Sequence, residues 1–291
     1  MRLIGPIFFR IFLVVAGFFV VFGALTQCAS SALIKSKKTI EQQFEDKAYK
    51  PKFYTYEVDG RAMHYVQVGD IHKPMVIFVH GSPGGWDAYI DYFKDSSLTA
   101  IACLVSVDRA GYGGSGSGIA EPSLEAQGTA IAPILATSRA KEKPILVGHS
   151  LGGPIVARMA MDYPNAMKSI IMLAPSIDPE MENNEWWRHI LKSGIVRAVM
   201  PPALVSSNLE LMPLEEELNK MLPLWKNIRV PCTIMHGKKD MLVPYENVAF
   251  FKKMLVNAPK KEVVTFEKEN HFIPWTKYDS VKMKIVEHLN Y

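Results

Sequence analysis

Short apolar runs, recurring along the chain and each followed by a loop, constrain the fold more than any other feature. They cover residues 75–79, 101–107, 145–147, 170–173, 233–235 and 262–266. A strand with little polar alternation has to be covered on both faces. Each run leads into a loop and then a helix-compatible stretch, and this alternation belongs to a parallel sheet sandwiched between helices. Upstream, residues 53–58 and 61–68 alternate in polarity around Asp59-Gly60, which reads as an antiparallel hairpin. The expected fold class is therefore α/β, with a mostly parallel central sheet and helices on both faces. In such sheets ligands bind at the carboxyl ends of the strands.

One stretch breaks the rhythm. Between Ser176 and about Arg229 no strand-like run occurs, and the segment carries Trp186, Trp187 and Pro201-Pro202. This reads as a small helical lid insertion over the site, at about 176–229, with Trp186, Trp187 and residues 204–212 shaping a substrate pocket. A length of 291 residues suits one large domain with such an insertion. We divide the chain into a signal or membrane anchor (1–34), a tether (35–52) and the main domain (53–291).

The first segment is set apart by its composition. Arg2 and Arg10 precede a charge-free apolar run over 11–25, the pattern of an export or anchor signal. The run is short for a span of about 20 residues, and extension to Ala32 or back to Leu3 makes it long enough. Leu25-Thr26-Gln27-Cys28 resembles a bacterial lipoprotein processing box in which Cys28 is lipidated, although Gln27 departs from the small residue expected there. Lipoprotein, uncleaved anchor and cleaved export signal remain open. Each brings the segment to a membrane, so the expected location is membrane-associated, in the cell envelope. Cys103 and Cys232 sit inside apolar runs and read as buried free thiols. The net charge of +4 is mild, with a basic cluster only at Lys35, Lys37 and Lys38. That excludes a nucleic-acid reader.

The strongest chemical signal is Gly148-His149-Ser150-Leu151-Gly152, between an apolar run and a helical stretch at 155–161. A strand that turns sharply into a helix needs small residues beside the turn and projects the central serine into the cleft. Ser150 is thus the candidate nucleophile. The region from Phe53 onward resembles the α/β-hydrolase family, and three further motifs carry the likeness: His80-Gly81-Ser82-Pro83-Gly84-Gly85-Trp86, Asp108-Arg109-Ala110-Gly111-Tyr112-Gly113, and His236-Gly237-Lys238-Lys239-Asp240 followed by Val243-Pro244. A histidine after the last strand, His271, completes the family order of Ser, Asp, His.

The resemblance implies that Asp240 orients His271 and that His271 serves as general base. It also implies that the Ser82 and Leu151 amides hold an oxyanion. Asp178 is the rival acid. His80, Asp108 and Arg109 are read as structural, and Trp86 as a pocket or loop-packing residue. Asn270 stands where the family commonly has glycine, and asparagine tolerates a left-handed backbone there. Serine at position 150 excludes the branches with an aspartate nucleophile, namely haloalkane dehalogenases and epoxide hydrolases.

The implied activity is that of a cofactor-independent serine esterase acting on carboxylic esters of small or medium apolar substrates. No cluster has metal-ligand spacing and no phosphate loop follows a strand. The first alternative is a proline-iminopeptidase-like aminopeptidase, suggested by His80 to Gly85, with Glu182, Glu185 or Glu210 holding a free amino terminus. The second, from a different class, is an inactive membrane-tethered binding protein.

Overall fold

The computed structural model describes residues 37–182, 187–191 and 193–291. Its strands are β1 (Lys52–Val58), β2 (Arg61–Val68), β3 (Met75–Val79), β4 (Cys103–Asp108), β5 (Ile145–His149), β6 (Ser169–Leu173), β7 (Cys232–Gly237) and β8 (Lys261–Phe266). These eight form one sheet in the order β1-β2-β4-β3-β5-β6-β7-β8. The first two pair antiparallel around Asp59-Gly60, β2 pairs antiparallel with β4, and the remaining pairings are parallel. The apolar runs are these parallel strands, so the expected α/β architecture is observed.

Burial on both faces explains the sequence pattern. Alternate residues of β3 divide between two cores: Met75, Ile77 and Val79 face one, and Val76 and Phe78 face the other. The first core is closed by the helices Leu124–Ile131, Gly152–Asp162, Leu214–Met221 and Asn247–Met254. The second is closed by Lys37–Gln42, Ile90–Lys94, Ser96–Thr99 and Tyr278–Leu289. Period-two alternation along a strand, with both sets apolar, is what a two-sided sheet requires.

The segment after β6 is helical over most of its described length, and its parts differ in role. Leu214, Leu218, Met221 and Trp225 pack into the main core, whereas Pro202–Leu211 lies over the carboxyl ends of the strands, bonded to the turns that follow β3 and β4. Among the described residues no helix is long and apolar enough to cross a membrane. The N-terminal apolar run and Cys28 lie outside the described residues.

Candidate active site

At the end of β5 the chain reverses direction through Ser150, whose φ of 53° lies in the left-handed region. This conformation is costly for a residue other than glycine, and here it is held in place by hydrogen bonds. The Ser150 amide donates to Leu173 O at 2.9 Å, and the Ser150 carbonyl accepts from Gly153 N at 2.8 Å. The glycines beside it are dictated by close approach. A Cβ on Gly152 would lie 2.2 Å from Val79 O, and one on Gly148 would lie 2.2 Å from Gly152 O. The helix Gly152–Asp162 therefore begins directly against β3, with the Leu151 amide at its N-terminal end.

The loops after β7 and β8 bring an acid and an imidazole together. Pairing of His236 with Thr265 and of Gly237 with Phe266 carries the two strands to the same level. Beyond them, Lys239 N donates to Glu269 O at 2.9 Å. The result places His271 Nδ1 2.7 Å from Asp240 Oδ2, with both side chains buried. Asp240 Oδ1 accepts from the amides of Leu242 (2.9 Å) and Val243 (2.8 Å). His236 Nε2 lies 3.3 Å from Asp240 Oδ2. Burial alone would raise the Asp240 carboxyl. The hydrogen bonds from His236, His271 and the Val243 amide outweigh it and hold the group well below the ordinary carboxylate range. With Nδ1 of His271 occupied, Nε2 remains as its other ring nitrogen for catalysis.

Ser150, Leu151, Ser82 and His271 line one cavity of about 650 Å³. Its walls include Met181, Leu211, Leu214, Leu242 and Trp275, with Glu182 and Arg188 among the polar groups. The chemical content is a serine at a strained turn, a carboxylate-oriented imidazole, and two backbone amides in a cavity whose walls mix polar and apolar groups. Such a set is suited to attack on a carbonyl carbon.

The comparisons with known proteins agree with this geometry. The profile of the alpha/beta hydrolase fold matches residues 74–193. That of the prolyl oligopeptidase family matches 136–290, more than half of the chain. The chain belongs to the α/β-hydrolase fold family. Among curated proteins it is similar to the human (Homo sapiens) monoacylglycerol lipase ABHD6, with 27% identity over 189 residues, covering 64% of this chain and 53% of that protein. The chain thus spans about half the length of that relative. Among solved structures it is similar to a lipase from Acinetobacter baumannii, with a TM-score of 0.64 and 19% identity over 88% of this chain and 96% of the other. A bacterial membrane phospholipase A aligns with a TM-score of 0.63 and 16% identity, covering 100% and 98%.

Within this α/β-hydrolase the structure brings together Ser150, His271, Asp240, Ser82 and Leu151, all read from the sequence. Asp178 is engaged elsewhere: its carboxylate caps a short turn by accepting from Glu180 N at 3.1 Å. Trp86 is corrected. It does not line the cavity but is buried against Phe53 and Phe93, because its amide is pinned to Asp108 Oδ1 at 2.9 Å and the ring turns into the second core. Trp186 lies outside the described residues, and Trp187 contributes the start of the helix Trp187–Leu191. Asn270 is also corrected. It is not among the residues with positive φ, and instead its side chain accepts from Phe272 N at 3.1 Å.

Several contributors escaped the sequence reading. His149 Nε2 donates to His271 O at 3.0 Å, so the residue before Ser150 fixes the backbone of His271. His236 supports the Asp240 carboxylate. Arg109 reaches well beyond its own loop, to Glu210 on the helix Pro202–Leu211. The adjacency of His149 to the elbow and of His236 to the acid's turn was the only available signal. Their directions depend on tertiary packing.

Proposed function

We propose that this chain is a serine hydrolase that cleaves carboxylic esters of small or medium apolar substrates through an acyl-enzyme. The observation that carries the reading is the 2.7 Å contact between His271 Nδ1 and the buried Asp240 Oδ2, with His271 and Ser150 lining one cavity. In this mechanism His271 Nε2 takes the proton of the Ser150 hydroxyl as the oxygen attacks the carbonyl carbon. The tetrahedral oxyanion is held by the amides of Ser82 and Leu151, the second reinforced by the helix N-terminus. His271 then protonates the leaving alkoxide. Water, deprotonated by the same imidazole, releases the acid and restores the serine. Asp240 holds the imidazole in the required tautomer and balances its positive charge.

Met181, Leu211, Leu214 and Leu242 in the cavity wall offer contacts to an acyl chain, while Glu182 and Arg188 make the same wall partly polar. The aminopeptidase alternative loses one of its acids, because Glu210 is consumed by Arg109, Tyr112 and Gln127. Glu185 lies outside the described residues. The similarity to a monoacylglycerol lipase supports an ester substrate with a fatty acyl group. We further propose that the apolar N-terminal run, with or without lipidation at Cys28, brings the enzyme to a membrane of the cell envelope. The exposed Met241, Leu242, Phe272 and Trp275 around the cavity are compatible with apolar substrates arriving from a lipid phase.

The test is hydrolysis of p-nitrophenyl butyrate together with labelling by a fluorophosphonate. Wild-type protein should turn over the ester and label once, and Ser150→Ala should do neither while retaining its fold. Equal activity in that variant would remove Ser150 from the mechanism. An unlabelled, inactive wild-type protein would favour a binding role. For location, the intact mass of membrane-extracted protein should reveal whether Cys28 is a lipidated terminus.

A further inference from the structure

Arg109 is fully buried, and the mechanism above does not use it. Its guanidinium forms a two-point pair with Glu210, Nη1 to Oε2 at 2.8 Å and Nη2 to Oε1 at 2.9 Å, and both side chains are sealed from solvent. Tyr112 Oη and Gln127 Nε2 also donate to Glu210, and Arg109 Nη1 donates to Gln127 Oε1. A buried charge held so completely has a fixed position. Its remaining donors point at the turn after β3: Nε reaches His80 O at 2.9 Å and Nη2 reaches Gly81 O at 2.9 Å. His80 adds a second donor to the same Gly81 oxygen, from Nδ1 at 2.7 Å. The His80 ring is itself fixed, since its Nε2 accepts from Arg109 N at 3.0 Å.

The Gly81 carbonyl and the Ser82 amide belong to one peptide unit. The cis bond in this turn is the next one, Ser82–Pro83, so the Gly81–Ser82 unit is trans, and in a trans peptide the N–H points opposite to the C=O. Two donors that hold the Gly81 oxygen on the Arg109 side therefore turn the Ser82 N–H the other way. Gly81 packs directly on the nucleophile, since a Cβ there would lie 2.9 Å from Ser150 Cβ. We propose that Arg109, clamped by Glu210 of the overlying helix, is a positioning residue that locks the Gly81–Ser82 peptide with its N–H directed at the oxyanion. The substrate-covering helix and the oxyanion donor are thereby joined through one guanidinium. Ser82 Oγ, donating to Ser207 Oγ of that helix at 2.8 Å, ties the same turn a second time.

This inference rests on the serine-hydrolase reading, and the experiment separates the two. Arg109→Gln and Glu210→Gln are compared with wild type using p-nitrophenyl butyrate and two inhibitors of matched shape. One is an alkyl trifluoromethyl ketone, which adds Ser150 and becomes an oxyanion. The other is the corresponding alcohol, which cannot. Loss of a whole oxyanion donor costs about 10²–10³ in kcat, so a loosened one should cost about tenfold to a hundredfold. In both variants kcat and trifluoromethyl ketone affinity should fall by similar factors, while KM and alcohol affinity hold. A merely structural role predicts that both inhibitors weaken equally, or that kcat survives, and either result would overturn the assignment. If Arg109→Gln fails to fold, the isosteric Glu210→Gln decides alone by the same ratio. A wild-type protein that neither hydrolyses the ester nor takes the fluorophosphonate label would overturn the hydrolase reading first, and this one with it.

Discussion

Replacing Asp240 with asparagine isolates what the acid contributes, because the surrounding hydrogen bonds dictate how the new side chain must sit. Oδ1 of Asp240 accepts from the Leu242 and Val243 amides, so the oxygen of the introduced carboxamide has to occupy that position. Its NH₂ then falls where Oδ2 was, 2.7 Å from His271 Nδ1. A donor there forces Nδ1 to accept, which moves the imidazole proton to Nε2, the nitrogen that must take the serine proton. The base is thus present but in the wrong tautomer. For a Ser-His-Asp system this costs about 10³–10⁴ in kcat, or about 4–5.5 kcal/mol of transition-state stabilisation. The assay is steady-state hydrolysis of p-nitrophenyl butyrate at neutral pH, with Asp178→Asn as the companion variant. Asp178→Asn should stay within about threefold of wild type, because its carboxylate only caps a short turn. A loss of less than tenfold in Asp240→Asn, or a large loss in Asp178→Asn, would refute the assignment of the acid.

Other consequences are equally direct. Burial holds the imidazoles of His80 and His149 down to about 3 and that of His288 down to about 4, against an ordinary value near 6.5. Below pH 6.5 the unfolded chain therefore binds protons that the folded chain does not. Stability should be complete above that pH and fall as pH drops toward 4, with His288 contributing about 3 kcal/mol to the loss. Urea titrations between pH 7 and 4 should show this slope, and His288→Gln should flatten it. Burial also pushes the Cys103 thiol up to about 12 and the Cys232 thiol higher still. Neither should react with an aromatic disulfide reagent at pH 8 until the protein is denatured. Gly152→Ala would drive a methyl against Val79 O and His80 O. It should destabilise the fold by about 1–3 kcal/mol, read as a lower urea midpoint.

The fold was legible, and the groups proposed to react could be named, because each has a local signature. Apolar runs marked the strands, a glycine-flanked serine marked the elbow, and the order of Ser150, Asp240 and His271 was visible in the chain itself. What stayed hidden depends on distant residues meeting. Nothing near Arg109 in sequence points to Glu210, and only folding reveals that its charge is balanced from the covering helix. Trp86 shows a choice between two roles that proximity in sequence left open. Proximity to the oxyanion turn suited a pocket or a packing role, and an amide bond to Asp108 directs the indole into the core. Asn270 shows how an expectation about backbone shape can fail when a side-chain hydrogen bond stabilises another turn.

The left-handed backbone at Ser150 has a consequence for the chemistry open to this scaffold over evolution and in the laboratory. A φ of 53° is tolerable for a residue branching no earlier than Cγ, and strained for one with two heavy atoms on Cβ. Serine, cysteine and aspartate can all occupy the elbow, and they generate oxygen ester, thioester and alkyl ester intermediates respectively. Threonine carries the same hydroxyl as serine and is kept out by its methyl group. The range of reactions reachable by a single substitution is therefore set by one torsion angle, ahead of any question of nucleophilicity.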